Sequence, residues 1–340
     1  MTDSPEARLN FLHETLQAKV LQGLTQQSHP NPELARYRRL LAEYPQRPGK
    51  LVRGMLTVLS TQAHGGSLEL GLKPASILEL FQSWVLIHDD IEDDSLLRRG
   101  QPALHRMVGM PVALNVGDGL HVHMWRQLFS AGLPAAVTEE FLHMIERTAE
   151  GQHLDLAWVE NGRIDVSEEE YLEMVRLKTA WYTVVTPLRL GALVLGEAPA
   201  AEFIPAGLDL GAAFQIRDDV LNLTSADSGA AGYGKEFAGD LTEAKRTLIL
   251  AHFFASVTES TAAEARERLL KPAVERDKAD LDWLLREITA AGSIGYAQSV
   301  AEELASRSLP LLRDVLGSLP EQAAAAAAVS LLESLVNRDR

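Results

Sequence analysis

FQSWVLIHDDIEDDSLLRRG, residues 81–100, joins an apolar run to a dense block of acid and then to two arginines. Trp84-Val85-Leu86-Ile87 is followed by five acids in six positions: Asp89, Asp90, Glu92, Asp93 and Asp94. On a helix, Asp89 and Asp93 stand about 40° apart around the axis and one turn from each other, so their carboxylates can share a cation. Magnesium suits such a pair. It prefers oxygen ligands and is commonly held by one or two carboxylates plus the phosphates of a substrate. Taken alone, the stretch also reads as a solvated helix end. A second stretch argues against that: Phe214-Gln215-Ile216-Arg217-Asp218-Asp219-Val220-Leu221-Asn222 again places two adjacent aspartates, Asp218 and Asp219, in apolar surroundings. The Asn222 side chain adds an oxygen four residues after the first. If their helices face each other, the two clusters enclose a magnesium site.

The chain has 340 residues, 46% hydrophobic and 23% charged, enough to bury a sizeable core. Its net charge of −15 argues against nucleic acid as a partner, which demands a basic footprint. An anionic ligand would need local cations or a metal. No run approaches the ~18 consecutive apolar residues of a membrane span. The opening MTDSPEARLN lacks the basic and apolar regions of a secretion signal. A cytoplasmic location with no integral membrane segment is the expectation. Without cysteine, disulfides and thiolate chemistry are excluded.

The periodicity predicts helices nearly throughout. Leu9, Leu12, Leu16, Val20 and Leu24 mark an amphipathic first helix, broken by Pro30 and Pro32. Lys50 to Ala63 reads as a helix stopped by Gly65-Gly66, and Pro74 as the start of the helix that carries the first acidic cluster. Helices over Pro111 to Ser130 and Thr138 to Glu160 follow, the latter ended by Asn161-Gly162. Ser167-Glu168-Glu169-Glu170 is a capping box opening a long helix that Pro187 should kink. Ser225 to Gly239 reads as a loop. Beyond Asp240 the chain looks helical, with breaks near Lys271-Pro272, Gly292, Gly295 and Leu319-Pro320, and the alanine run Ala323 to Ala328 as a packed helix. No β alternation of useful length occurs and no linker divides the chain. One all-α domain, 1–340, with ten or more helices around a central cavity is expected.

Several cations stand in unusual company. Lys50 and Arg53 are three apart in GKLVRG, where a helix N-terminus also favours an anion. Arg98 and Arg99 can each fork onto phosphate oxygens, and as neighbours they point different ways. Lys178-Thr179 interrupts an apolar helix, Gln215 precedes the second cluster, Lys235 lies in the glycine-rich loop, and Lys245-Arg246 follows it. His121 and His123, like His153 and Asp155, are two apart and do not share a helix face, so no histidine metal site is expected.

GKLVRG, LIHDDIEDDSLLRRG, LKTAWYTVVTPLRLG, FQIRDDVLNL and GDLTEAKRTLIL, in this order between Gly49 and Leu250, resemble the motifs of trans-isoprenyl diphosphate synthases. The resemblance implies a helical bundle around a deep cavity, usually a homodimer. It implies head-to-tail condensation of isopentenyl diphosphate with an allylic diphosphate. Asp89, Asp90 and Asp93 would form the first aspartate-rich motif and Asp218 and Asp219 the second, with Asn222 offering an oxygen. Asp89, Asp93 and Asp218 would be the direct ligands of three magnesium ions. Arg98, Lys178 and Lys235 would neutralise the allylic diphosphate, with Lys245 among the substrate-binding cations. Lys50, Arg53, Gln82 and Arg99 would hold isopentenyl diphosphate. Thr179, Gln215 and the Lys178 carbonyl would face the allylic cation. Two positions depart from the family pattern: Asn222 stands where aspartate is usual, and Ala244 where glycine commonly precedes the lysine.

Product length follows from the same helix. With Asp89 at zero on the wheel, Val85, Phe81 and Trp84 fall at about −40°, −80° and −140°, one apolar sector, and Gln82 near +20°. In the resembling family, bulky residues four and five positions before the first aspartate act as a floor. Here Trp84 is bulky, Val85 is not, and Phe81 closes the next turn. The expectation is geranylgeranyl diphosphate (C20), then farnesyl diphosphate (C15). A class I terpene cyclase and a non-catalytic subunit of a heteromeric prenyl synthase are the alternatives. The first would not need Lys50, Arg53 and Arg99, and the second tends to lose an aspartate motif.

Overall fold

A computed structural model describes residues 5–24, 29–224, 238–272 and 275–337. Among them, strand is confined to one antiparallel two-residue ladder, β1 (Leu97–Arg98) with β2 (Gln101–Pro102), pairing Leu97 with Pro102 and Arg98 with Gln101. All other regular structure is helical, as the all-α expectation requires.

Caps written into the sequence set several boundaries. The leucine stripe of α1 (Pro5–Gln22) is buried at Leu12, Leu16 and Val20. Asn31 caps α2 (Pro32–Leu41) by accepting from the Glu33 and Leu34 N–H groups, and Pro32 opens the helix. After the short α3 (Glu43–Gln46), Leu51 takes a left-handed backbone (φ 45°) that turns GKLVRG into α4 (Val52–Ala63). The long α5 (Leu68–Glu92) begins at its Ser67 cap, seven residues before Pro74. Pro74 sits inside the helix, near enough to its start that the missing N–H leaves only one backbone bond unmade. Beyond the β1–β2 turn come α6 (Leu104–Val108), α7 (Met110–Ser130) and α8 (Ala135–Glu160).

The capping box is present: Ser167 accepts from the Glu170 N–H, and Glu170 accepts from the Ser167 N–H, at the start of α9 (Glu168–Val175). Pro187 does not produce a simple kink. The chain instead winds into a π-helical segment, Arg176–Val185, before α10 (Thr186–Leu193). A proline there cannot donate to the carbonyl four residues back, and the wider winding accommodates this. Then follow α11 (Phe203–Thr224), α12 (Gly239–Thr242), α13 (Leu248–Ser256), α14 (Glu259–Leu269), α15 (Lys278–Ala290), α16 (Ser293–Gly317) and α17 (Gln322–Val336). Gly295 lies inside α16 and breaks nothing; the break is at Gly292, whose φ is 69°. The expected loop over Ser225 to Gly239 falls mostly outside the described residues, and Gly239 already begins α12.

The π segment is clasped between α8 and α11, α5 packs on α4 and α7, and α16 backs α11. Glycines allow the closest approaches. A Cβ at Gly151 of α8 would lie 2.6 Å from the Lys178 Cα, and one at Gly211 of α11 would overlap Ala180. The alanine run does pack: Ala324, Ala325, Ala327 and Ala328 are buried in α17, which lies against α4 and α16. Among the described residues, no helix is long and apolar enough to cross a membrane.

Candidate active site

Where α5, the π segment and α11 converge, they enclose a cleft of about 250 Å³. Asp89 and Asp218 both line it, so the two acidic clusters do face one cavity. Arg53, Arg98, Arg99, Lys178 and Lys245 supply positive charge, and Val85, Leu86, Tyr182 and Phe214 supply apolar wall.

The adjacent aspartates divide their work. Asp90 is fully buried and turns away from the cleft, accepting from Arg98 Nε (2.8 Å), Arg98 Nη2 and the Tyr44 hydroxyl. It anchors Arg98 rather than offering a vacant oxygen to a metal. Asp89 accepts from Arg98 Nη2 (3.2 Å) and lies 3.5 Å from Lys178 Nζ. Asp93 lies 2.7 Å from Lys245 Nζ. Asp219 repeats the pattern of Asp90. It is buried, accepting from the Tyr171 hydroxyl (2.6 Å) and Gln215 Nε2 (2.8 Å). Burial, then the nearby Asp240 charge, push its carboxyl up to about 7. Asn222 is also buried, and its Oδ1 accepts from the Asp240 N–H at 3.2 Å, bracing α12. Asp90, Asp219 and Asn222, expected with the metal set, thus have internal partners.

Among the cations, Lys178 donates to Asp155 Oδ2 at 2.6 Å. Burial alone would lower its ammonium pKa, but Asp155, Asp89 and Asp93 more than offset this and raise it. Burial likewise disfavours the Lys245 charge, and Asp93 and Glu243 outweigh it. Glu243 is itself pushed up to about 6, by burial first. Thr179 donates to Gln215 Oε1 at 3.0 Å, which ties the π segment to α11.

Arg53 and Arg99 add further cations to the cleft lining. The hydrogen-bonding pattern assigns the Gln82 amide so that its oxygen accepts from Arg53 Nη1 (2.8 Å) and its nitrogen donates to Glu79 (3.1 Å). The Arg53 guanidinium lies over the Tyr182 ring, 4.3 Å from its centroid, and its buried Nε has no protein partner. Arg99 donates to the Arg47 carbonyl and packs on Gly49, where any side chain would strike the guanidinium. His13 of α1 bonds the Gly49 carbonyl at 2.6 Å. Lys50 is exposed and is not among the residues lining the cleft. Lys235 lies outside the described residues.

The donor set suits magnesium. Among the described residues, no three carboxylate or imidazole groups converge as a ready-made cage. Asp89 and Asp218 instead offer hard oxygens in a cation-lined cleft, with Asp93 one turn on from Asp89 and against Lys245, the kind of incomplete shell that phosphate oxygens can complete.

Phe81, Trp84 and Val85 form layers rather than one wall. Val85 lines the cleft. Phe81 is buried behind it, edge-on to Tyr182 at 5.6 Å, and Trp84 stacks on His121 of α7 at 3.9 Å.

Sequence reasoning did not single out Glu243, Tyr44 or Tyr171, and weighed Asp155 only as a metal partner of His153. For Asp155 a signal existed, a lone acid in Leu154-Asp155-Leu156-Ala157-Trp158, the same cue that singled out Lys178.

Known proteins resemble the chain over most of its length. The family described as polyprenyl synthetase matches residues 35–288. A short chain isoprenyl diphosphate synthase from Methanothermobacter thermautotrophicus is 33% identical over 74% of this chain and 76% of its own length. A geranylgeranyl diphosphate synthase from Saccharolobus solfataricus is 32% identical over 78% and 80%. Among solved structures, geranylgeranyl pyrophosphate synthetase from Pyrococcus horikoshii superposes with a TM-score of 0.81, at 29% identity and 98% coverage of both chains. Geranylgeranyl pyrophosphate synthase from Corynebacterium glutamicum, complexed with isoprenyl diphosphate and magnesium, gives 0.79, at 28% identity and 98% coverage of both.

Proposed function

The chain belongs to the polyprenyl synthetase family and is a trans-prenyltransferase, and from that premise we propose that it uses magnesium to condense isopentenyl diphosphate head-to-tail with an allylic diphosphate to give geranylgeranyl diphosphate. One observation carries the reading: a single cleft holds Asp89 and Asp218, with Lys178 and Lys245 near them and Arg53 and Arg99 as a second cationic group. Two diphosphates need two such groups. A terpene cyclase needs one.

Magnesium, three ions in this proposal, supplies charge stabilisation to the departing diphosphate. Asp89, Asp93 and Asp218 would hold it. Arg98, Lys178 and Lys245 meet the charge that develops on the leaving oxygens, in positions fixed before reaction by Asp90 and Asp155. Arg53, Gln82, Arg99 and Lys50 orient isopentenyl diphosphate. Breaking the allylic C–O bond leaves a cation faced by the oxygens of Thr179 and Gln215. The isopentenyl double bond attacks it, and the released diphosphate takes the final proton. Val85, Leu86, Tyr182 and Phe214 keep water from the cation.

The C20 product, with C15 next, rests on the Phe81, Val85 and Tyr182 layers, since relatives of similar identity are also named for geranylfarnesyl products. A single domain over 1–340 and a homodimer belong to the same proposal. The exposed apolar side chains Met110, Leu114, Val122 and Phe129 along α7 support the dimer. Incubation with labelled isopentenyl diphosphate and each allylic primer tests the reading. C20 chains formed only with magnesium are expected, and no elongation of any primer overturns it.

A further inference from the structure

Each of the two ammoniums at the cleft is shared between two carboxylates, and only one of each pair belongs to an aspartate-rich motif. Lys178 Nζ stands 2.6 Å from Asp155 Oδ2 and 3.5 Å from Asp89 Oδ1. Lys245 Nζ stands 2.7 Å from Asp93 Oδ2 and 2.9 Å from Glu243 Oε2. Asp155 comes from α8, and Glu243 caps the C-terminus of α12. Two unrelated stretches have converged on one arrangement: motif carboxylate, ammonium, outside carboxylate.

We propose that Asp155 and Glu243 are positioning residues, which retain the Lys178 and Lys245 ammoniums beside the diphosphate when Asp89 and Asp93 engage the metal. The proposal rests on the diphosphate chemistry proposed above. The charges show why an outside partner is needed. An enclosed ammonium left with no counter-ion is strongly disfavoured. If Asp89 were the sole partner of Lys178, the lysine would compete with magnesium for it, and once displaced would swing away. With Asp155 at the shorter distance, Asp89 can be released while the ammonium keeps its place and its charge. Lys245 has the same choice between Asp93 and Glu243. The four carboxylates and two ammoniums of this set leave two negative charges uncompensated. Arg98, 3.2 Å from Asp89, offsets part of that excess. The set stays net negative, so a cation can join it without expelling either lysine, and both ammoniums stay directed at the leaving oxygens.

Calorimetric titration of the full chain with inorganic pyrophosphate, over a series of magnesium concentrations, tests this without turnover. Asp155→Asn and Glu243→Gln keep an oxygen and the side-chain size but remove the charge. Each should raise the magnesium concentration for half-saturation and the pyrophosphate Kd by roughly 10-fold or more, the usual effect of removing an outer partner of a metal site. Asp155→Glu and Glu243→Asp should recover part of the loss. In the condensation assay the KM for isopentenyl diphosphate should stay within about 2-fold, because Arg53 and Arg99 are untouched. A merely structural role predicts less folded protein, seen as reduced binding stoichiometry, with the Kd of the folded fraction unchanged. That result overturns the proposal, as does an equal rise in the KM for isopentenyl diphosphate. The titration decides the anchors by itself, and product formation by the wild-type protein separately decides the condensation reading.

Discussion

Asp89 and Asp90 are indistinguishable as letters and opposite in role, because neighbouring side chains on a helix point about 100° apart. Asp89 reaches the cleft, while Asp90 is spent on Arg98 and Tyr44 in the interior. Their substitutions should separate cleanly. Asp89→Asn should lower kcat by about 100-fold or more, in keeping with the loss of a major electrostatic group, and leave the unfolding midpoint near that of the wild type. Asp90→Ala strands a buried guanidinium and should cost about 3 kcal/mol or more of stability in urea denaturation. Equal stability losses for both variants would defeat the distinction. Ala244 offers a second test. Its φ of 55° lies in the left-handed region, which explains why glycine is common at this place in the family that the motifs resemble. Ala244→Gly should relieve about 1 kcal/mol of strain, read as a higher urea midpoint with unchanged slope. The aspartate clusters were legible because their signal is local and dense. Glu243 was not, and the apolar setting of Asp155 marked it without giving its role, since a single acid acquires its meaning only from the lysine that tertiary packing brings to it.

At the scale of elements, local chemistry announces itself and tertiary accommodation does not. The Ser167 capping box, the Asn161-Gly162 stop and the leucine stripe of α1 all appear where the sequence places them. Those signals are complete within a few residues. Pro74 and Gly295 misled for the converse reason: each is a usual breaker that a long, well-packed helix carries inside it. The π segment could not be read at all, because its winding is set by Pro187 together with the fit between α8 and α11. That fit is testable. Gly151→Ala would drive a Cβ into the Lys178 backbone, 2.6 Å from Cα, where no flexible side chain can give way. The helices must part, at a cost of about 1–3 kcal/mol or more, and Lys178 must shift from Asp89. Reduced kcat together with reduced stability is expected. Gly295→Ala is the control. Nothing lies within 4 Å of its Cβ position, so this helix-interior change should stabilise by about 0.5–1 kcal/mol and leave activity alone. A Gly151→Ala protein as stable and active as the control would show that the close approach is unimportant.

For the molecule as a whole, the question is where the cleft ends. The helix wheel placed Val85, Phe81 and Trp84 in one sector, but packing sorts them by depth. Val85 and Leu86 form the wall, with Tyr182 beside them. Phe81 stands edge-on to both Tyr182 and Trp84, each at 5.6 Å, so it is the plug between the cleft and the α5–α7 seam. Trp84 closes that seam by stacking on His121, beyond the plug. A growing chain that passes Tyr182 therefore meets Phe81 before Trp84. Phe81→Ala should lengthen the product distribution beyond C20. Trp84→Ala alone should change it little, because the space it vacates remains cut off by Phe81. The double variant should give longer chains than Phe81→Ala, since plug and seam then open into one another. A buried phenylalanine costs about 3–5 kcal/mol when cut to alanine, so Phe81→Leu serves as the milder companion, with product lengths read from the folded fraction. If the double variant keeps the wild-type distribution, the aromatic layer is not the floor, and the chain must stop against a wall formed elsewhere in the bundle.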